Sequence, residues 1–92
     1  MQSDTCWKAF FLRWPKDLPR RGILVTVLND QHPFKGFMTT DEMVLLERQN
    51  PDPLGSRILI LEFNQIALVK LTDVIQQSVF EKMGFVGKLS GK

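Results

Sequence analysis

The stretch Gly22 to Leu71 constrains this chain most. It reads as short apolar, β-branched runs cut at brief intervals by turn residues, the signature of successive antiparallel strands. Strands are expected at Ile23–Leu28, Pro33–Thr39, Glu42–Gln49, Ser56–Phe63 and Ile66–Leu71. The intervening turns are Asn29 to His32, Thr40–Asp41, the stiff two-proline loop Asn50 to Gly55, and the short break Asn64–Gln65. Glycine in the middle of a strand marks a bend or a close backbone approach, so Gly36 is expected to bend the second strand. Several strands are apolar on both faces: Ile23, Val25 and Val27 oppose Leu24 and Leu28, and Ile58 and Ile60 oppose Leu59, Leu61 and Phe63. A sheet with one wet face alternates apolar with polar. Here the second face needs a cover, and a neighbouring subunit is one natural source, because large exposed apolar patches are uncommon on monomers.

The flanks supply part of that cover. Trp7, Phe10, Phe11 and Trp14 recur at i, i+3, i+4 and i+7, one face of a helix over about residues 4–13. Ser3 or Asp4 can serve as its N-cap, and Pro15 ends it. The aromatic face is expected to lie over the sheet as a lid. After Leu71 a short helix is expected within residues 76–84, with Asp73–Gln76 and Ser78–Glu81 as competing capping boxes and Gly84 just past its C-terminus. The domain plan is therefore a single unit, 1–92: helix 4–13, strands 22–71 and helix 76–84. At 92 residues it should bury about 60–65% of its unfolded surface.

Charge is unevenly placed. Residues 23–75 carry four basic side chains (Lys35, Arg48, Arg57, Lys70) against seven acidic ones, whereas residues 1–22 carry five basic and two acidic. A nucleic-acid groove on the sheet should show the reverse bias, because phosphate neutralisation supplies most of the non-specific affinity. One His and one Cys do not make a soft-metal site within a subunit, so no metal and no cofactor are expected. Cys6 with His32 would need a helix start to meet a hairpin turn, and Asp41 and Glu42 point apart on an extended chain. There is no Gly-rich phosphate loop. No catalytic residue is assigned, and an enzyme is the least supported class. The longest apolar run falls short of the roughly 18–20 residues needed to span a bilayer. A single cysteine and no basic leader before Asp4 lead to an expected cytoplasmic location.

A helix followed by five short strands, with a bent glycine strand second and nearly continuous strands four and five, resembles the Sm-like (Lsm) branch of the small SH3-like β-barrels. The resemblance rests on Gly22 to Asp30, on Phe34-Lys35-Gly36-Phe37-Met38 with Asp41, on Met43 to Glu47, and on Ile58 to Phe63 with Ile66 to Leu71. It implies a mainly β fold: a five-stranded antiparallel small barrel with an N-terminal α-helix and a short C-terminal helix. It also implies edge-to-edge assembly through strands four and five, and in many members single-stranded RNA at the ring pore. The family's base-contacting asparagine after methionine is here Val44, and its Arg-Gly element between strands four and five is here Phe63-Asn64-Gln65.

The leading expectation is a non-enzymatic protein that self-associates or docks to a protein partner, with Leu59, Leu61, Phe63 and Leu68 as the docking surface. The alternative is an Sm-like single-stranded RNA binder using Arg20, Arg21, Thr40, Asn64 and Gln65.

Overall fold

The computed structural model describes residues 3–90, with side chains from Cys6 onward. The chain runs α1 (Ser3–Leu12), β1 (Gly22–Thr26), β2 (Gln31–Thr39), β3 (Met43–Arg48), β4 (Ile58–Glu62), a single 3-10 turn (Phe63–Gln65), β5 (Ile66–Lys70) and α2 (Gln77–Lys82). All strand pairs are antiparallel, in one sheet of order β4-β3-β2-β1-β5. β4 and β5, separated in sequence only by the 3-10 turn, are therefore its two edges. They are not paired with each other, so the sheet does not close on itself as the expected barrel would.

Two irregularities explain how this chain packs one face. Phe34 and Phe37 are three apart, and on a regular strand they would point to opposite faces. A register shift between Phe34 and Gly36 adds one residue to β2, and both rings turn inward. Gly36 belongs to that bulge, and a Cβ there would meet the Glu47 carboxylate at 2.8 Å. A second shift between Val25 and Thr26 adjusts β1 to β5.

The first strand ends earlier than the apolar pattern suggests. Thr26 Oγ1 accepts from the amides of Leu28 and Asp30, Thr26 N donates to Asp30 O, and Asn29 takes φ 73°. A tight turn of this kind leaves Val27 and Leu28 exposed rather than inside β1.

Leu24, Phe34, Phe37, Val44, Leu46 and Ile66 form the inner face of the sheet, with Phe63 from the 3-10 turn. The α1 helix lies over it as a lid. Phe11 stacks edge-on to Phe37 at 4.9 Å and lies 6.2 Å from Phe63, while Trp14 meets Phe37 at 4.9 Å. The indole N–H of Trp14 donates to Leu18 O at 2.9 Å, so its one polar atom is satisfied in the core. Trp7 and Phe10, on the same helix, pack only against the margin of this core.

At the C-terminal end, neither capping box forms. Gln76 occupies the N-cap of α2 without a side-chain bond, and Asp73 instead chelates Arg21. The C-terminus of α2 does follow expectation. Gly84 has φ 104°, its N–H bonds Glu81 O, and Phe85 N–H bonds Phe80 O, a Schellman pair. The cap assigned to Ser3 or Asp4 lies outside the described side chains.

Candidate functional site

The β4 edge and the sheet face beside it form the candidate association surface. Backbone bonds from Phe63 N to Glu42 O and from Arg48 N to Arg57 O fix the parity of the β3–β4 ladder. Odd-numbered residues of β4 bond inward to β3. Ile58, Ile60 and Glu62 therefore direct their N–H and C=O groups away from the sheet. The Ile58 carbonyl accepts from Ser56 Oγ at 3.2 Å, one local bond on an otherwise open edge.

The same three residues place their side chains on the outer face. Ile60 stands opposite Leu45, which stands opposite Met38, giving an apolar row across three strands. Ile58 and Met43 extend it on either side. Ile60 is 56% exposed, Ile58 47% and Met38 69%. The row is bordered by Glu47 opposite Ile58 and by Glu62 opposite Met43.

This displaces the docking residues expected from sequence. Phe63 is 1% exposed and belongs to the core, and Leu59 and Leu61 pack against that core from the inner face. Of the four, Leu68 alone is well exposed, on β5 at the far edge of the sheet. The sequence held a signal for the correct face. Glu62 shares parity with Ile60 and Ile58, and a charge in an otherwise apolar strand marks the side that meets water.

The residues considered for RNA are divided. The Arg20 guanidinium lies 4.3 Å from the centroid of the Phe37 ring and donates to Phe37 O at 3.2 Å. Arg21 grips Asp73 through Nε at 3.0 Å and a terminal nitrogen at 2.7 Å. That bidentate pair raises the Arg21 pKa and holds the Asp73 carboxyl below its ordinary value. Thr40 Oγ1 accepts from the amides of Glu42 and Met43, closing the β2–β3 turn. Asn64 and Gln65 are exposed in the 3-10 turn, with Gln65 Nε2 donating to Asn64 Oδ1 at 3.3 Å. The bond from Phe63 N to Glu42 O sets Asn64 and Gln65 at the same end of the sheet as Thr40. The two arginines are instead spent on the linker's attachment to Phe37 and Asp73.

His32 lies within β2 rather than in the preceding turn. Its Nδ1 sits 3.1 Å from Arg48, whose Nε also donates to Asn50 O. Burial first, and then the Arg48 charge, push the imidazole below its ordinary value, with Asp30 opposing. Among the described residues no group of three or more His, Cys, Asp and Glu is placed to hold a metal ion. No helix among them is long and apolar enough to cross a membrane. No family model, curated protein or solved structure matches this chain.

Proposed function

We propose that this protein is a non-catalytic self-association module of the small Sm-like or SH3-like barrel type, whose copies join through their sheet edges. The observation that carries this reading is the open β4 edge, where unpaired backbone groups and exposed Ile58 and Ile60 coincide. An exposed edge strand with apolar side chains is a template for another strand unless something blunts it. Here the blunting is slight: Glu62 at one end and one hydroxyl bond to Ile58 O. The separation of β4 and β5 to opposite edges supports pairing in a head-to-tail sense, one edge of each kind per copy. Size-exclusion chromatography with light scattering tests it: a mass above one chain at tens of micromolar is expected, and a clean monomer overturns it.

Single-stranded RNA binding is a second reading, favoured by the exposed Asn64 and Gln65 beside the Thr40 turn. Titration with short single-stranded RNA at two salt concentrations separates the two. Tight, salt-steep binding supports the RNA reading, and no shift at low salt removes it.

A further inference from the structure

At the β5 margin of the core, where α1 meets the C-terminal segment, the molecule carries a second apolar feature. Trp7 and Phe10 form one wall of a groove, Val69 and Leu71 line it from the β5 side, and Phe80 of α2 contributes beside them. The remaining wall is a strap, Phe85 to Leu89, folded back after the Schellman turn. The groove encloses about 630 Å³.

Phe85 is fixed by its N–H bond to Phe80 O and by the edge-on contact of the two rings, and the strap beyond it is tied down by the Gln77 side chain. The Gln77 carbonyl accepts from Leu89 N at 2.9 Å, and its amide donates to Gly87 O at 3.4 Å and to Glu81 Oε2 at 2.9 Å. A primary amide is here used as a short strand would be, accepting from and donating to a backbone passing beside it. Gly84 at φ 104° and Gly87 at φ 130° supply the left-handed backbone that folds the strap over. The strap nevertheless leaves Phe85, Val86 and Leu89 largely exposed. Three large apolar side chains of the strap are thus poorly covered by the chain itself.

Size and charge select the occupant. Small-molecule sites enclose roughly 300–1,000 Å³, a range that includes this groove, whereas a stable protein interface covers about 800 Å² on each partner. The lining is almost wholly hydrocarbon and aromatic, with polar groups confined to the strap and its root. Glu81 is engaged by Gln77, while Lys88 has no carboxylate within ion-pair distance among the described residues. Among the described residues the groove thus offers an apolar bed with two charges on its lining: the Glu81 carboxylate, held by Gln77 on α2, and the Lys88 ammonium, which has no carboxylate partner, on the strap.

We propose that this groove binds a single-chain anionic amphiphile, a free long-chain carboxylate, with its alkyl chain between Trp7, Phe10 and Phe80 and its head group at Lys88. Binding covers the exposed strap residues and orders the strap on the ligand. Leu68 has the opposite strand parity to Val69, so its side chain lies on the other face from the groove, while Val69 itself belongs to the β5 edge strand.

Trp7 is the natural reporter, since Trp14 is buried in the core. Dodecanoate titrated below its aggregation concentration should shift the Trp emission and saturate at one molecule per chain. Dodecyltrimethylammonium, with the same chain and the opposite charge, should bind more weakly. Lys88→Glu lies on the exposed strap, so it should leave the circular dichroism spectrum unchanged and lower dodecanoate affinity roughly fivefold or more. Gln77→Ala, which frees the strap, should also weaken binding. No saturable response to dodecanoate overturns the proposal, as does equal affinity for the two head groups together with indifference to Lys88→Glu. A response to anionic phospholipid vesicles without one to monomeric dodecanoate would assign the patch to a membrane surface and overturn it too. Light scattering on the same samples reads self-association separately, so either claim can fail alone.

Discussion

The two faces of the sheet are built from much the same residue types and meet opposite fates. On the inner face, Phe34, Phe37, Val44 and Leu46 are buried under α1. On the outer face, Met38, Ile58 and Ile60 meet water. The difference lies not in hydrophobicity but in what the chain has left to cover each side. One ten-residue helix and the linker that follows it supply Phe11, Trp14 and Leu18, enough for one face. The inner face is therefore where folding free energy is stored. The outer one is apolar surface that folding does not consume, and that surface is available to a second chain.

Truncating the inner face tests the first half of this contrast and should have the largest effect. Phe34→Ala and Phe63→Ala each remove a ring that is at most 1% exposed. Each should cost about 3–5 kcal/mol. For a domain near the low end of the usual ~5–15 kcal/mol, that approaches its whole stability. Urea titration followed by circular dichroism should show little or no native baseline. A loss under about 1 kcal/mol would mean that the helix does not seal this core.

The glycines give the next contrast. A Cβ at Gly22 would stand 2.5 Å from the carbonyl oxygen of Lys70, a backbone atom of the neighbouring strand. At Gly36 the obstacle is the tip of the Glu47 side chain, which can swing into solvent. Gly22→Ala should therefore destabilise by roughly 1–3 kcal/mol, as overpacking does, and Gly36→Ala by less. Equal midpoints for the two variants would show that the β1–β5 ladder yields as easily as an exposed carboxylate.

On the outer face the expected effects reverse. Ile60→Lys with Ile58→Lys should change unfolding free energy by about 1 kcal/mol or less, since neither side chain helps fill the core. The same pair should lower the solution mass to that of one chain, by placing two cations on the open edge. If the mass persists, self-association does not run through β4.

Much of this architecture was legible in the sequence, and the exceptions share a cause. Each strand and both helices end within two residues of expectation, because apolar period and turn chemistry are local. What the sequence concealed was parity. Phe34 and Phe37 share a face only because β2 carries a bulge, and Phe63 turns into the core because β4 gives way to a 3-10 turn. A doubly apolar strand such as Ile58 to Phe63 has two readings until the opposite strand fixes one. Leu59 and Leu61, expected on a docking surface, face the core for that reason. The groove beside α1 is not legible in the sequence either. Its walls come from both ends of the chain and from β5, and no local pattern announces that Phe10 and Phe85 will line the same space.

The smallest effect concerns the hairpin strand β2, where His32 and Arg48 link the inner strands to the Asn50 loop. Folded, the imidazole is held below its ordinary value of 6.5 by burial and by Arg48. Accepting from Arg48 at Nδ1 requires the neutral ring. In the unfolded chain the ring binds a proton more readily, so below about 6.5 the unfolded state gains protons that the folded state lacks. The contribution is thus complete above that pH and is lost as pH falls toward the folded pKa. Asp52 and Asp73, both held below 3.8 in the fold, add a second loss only as pH drops below that value. Urea midpoints measured from pH 7.5 to 5 should drift downward for the native chain and stay level for His32→Gln. Equal drift in both would place the titrating group elsewhere and leave the His32–Arg48 contact without energetic weight.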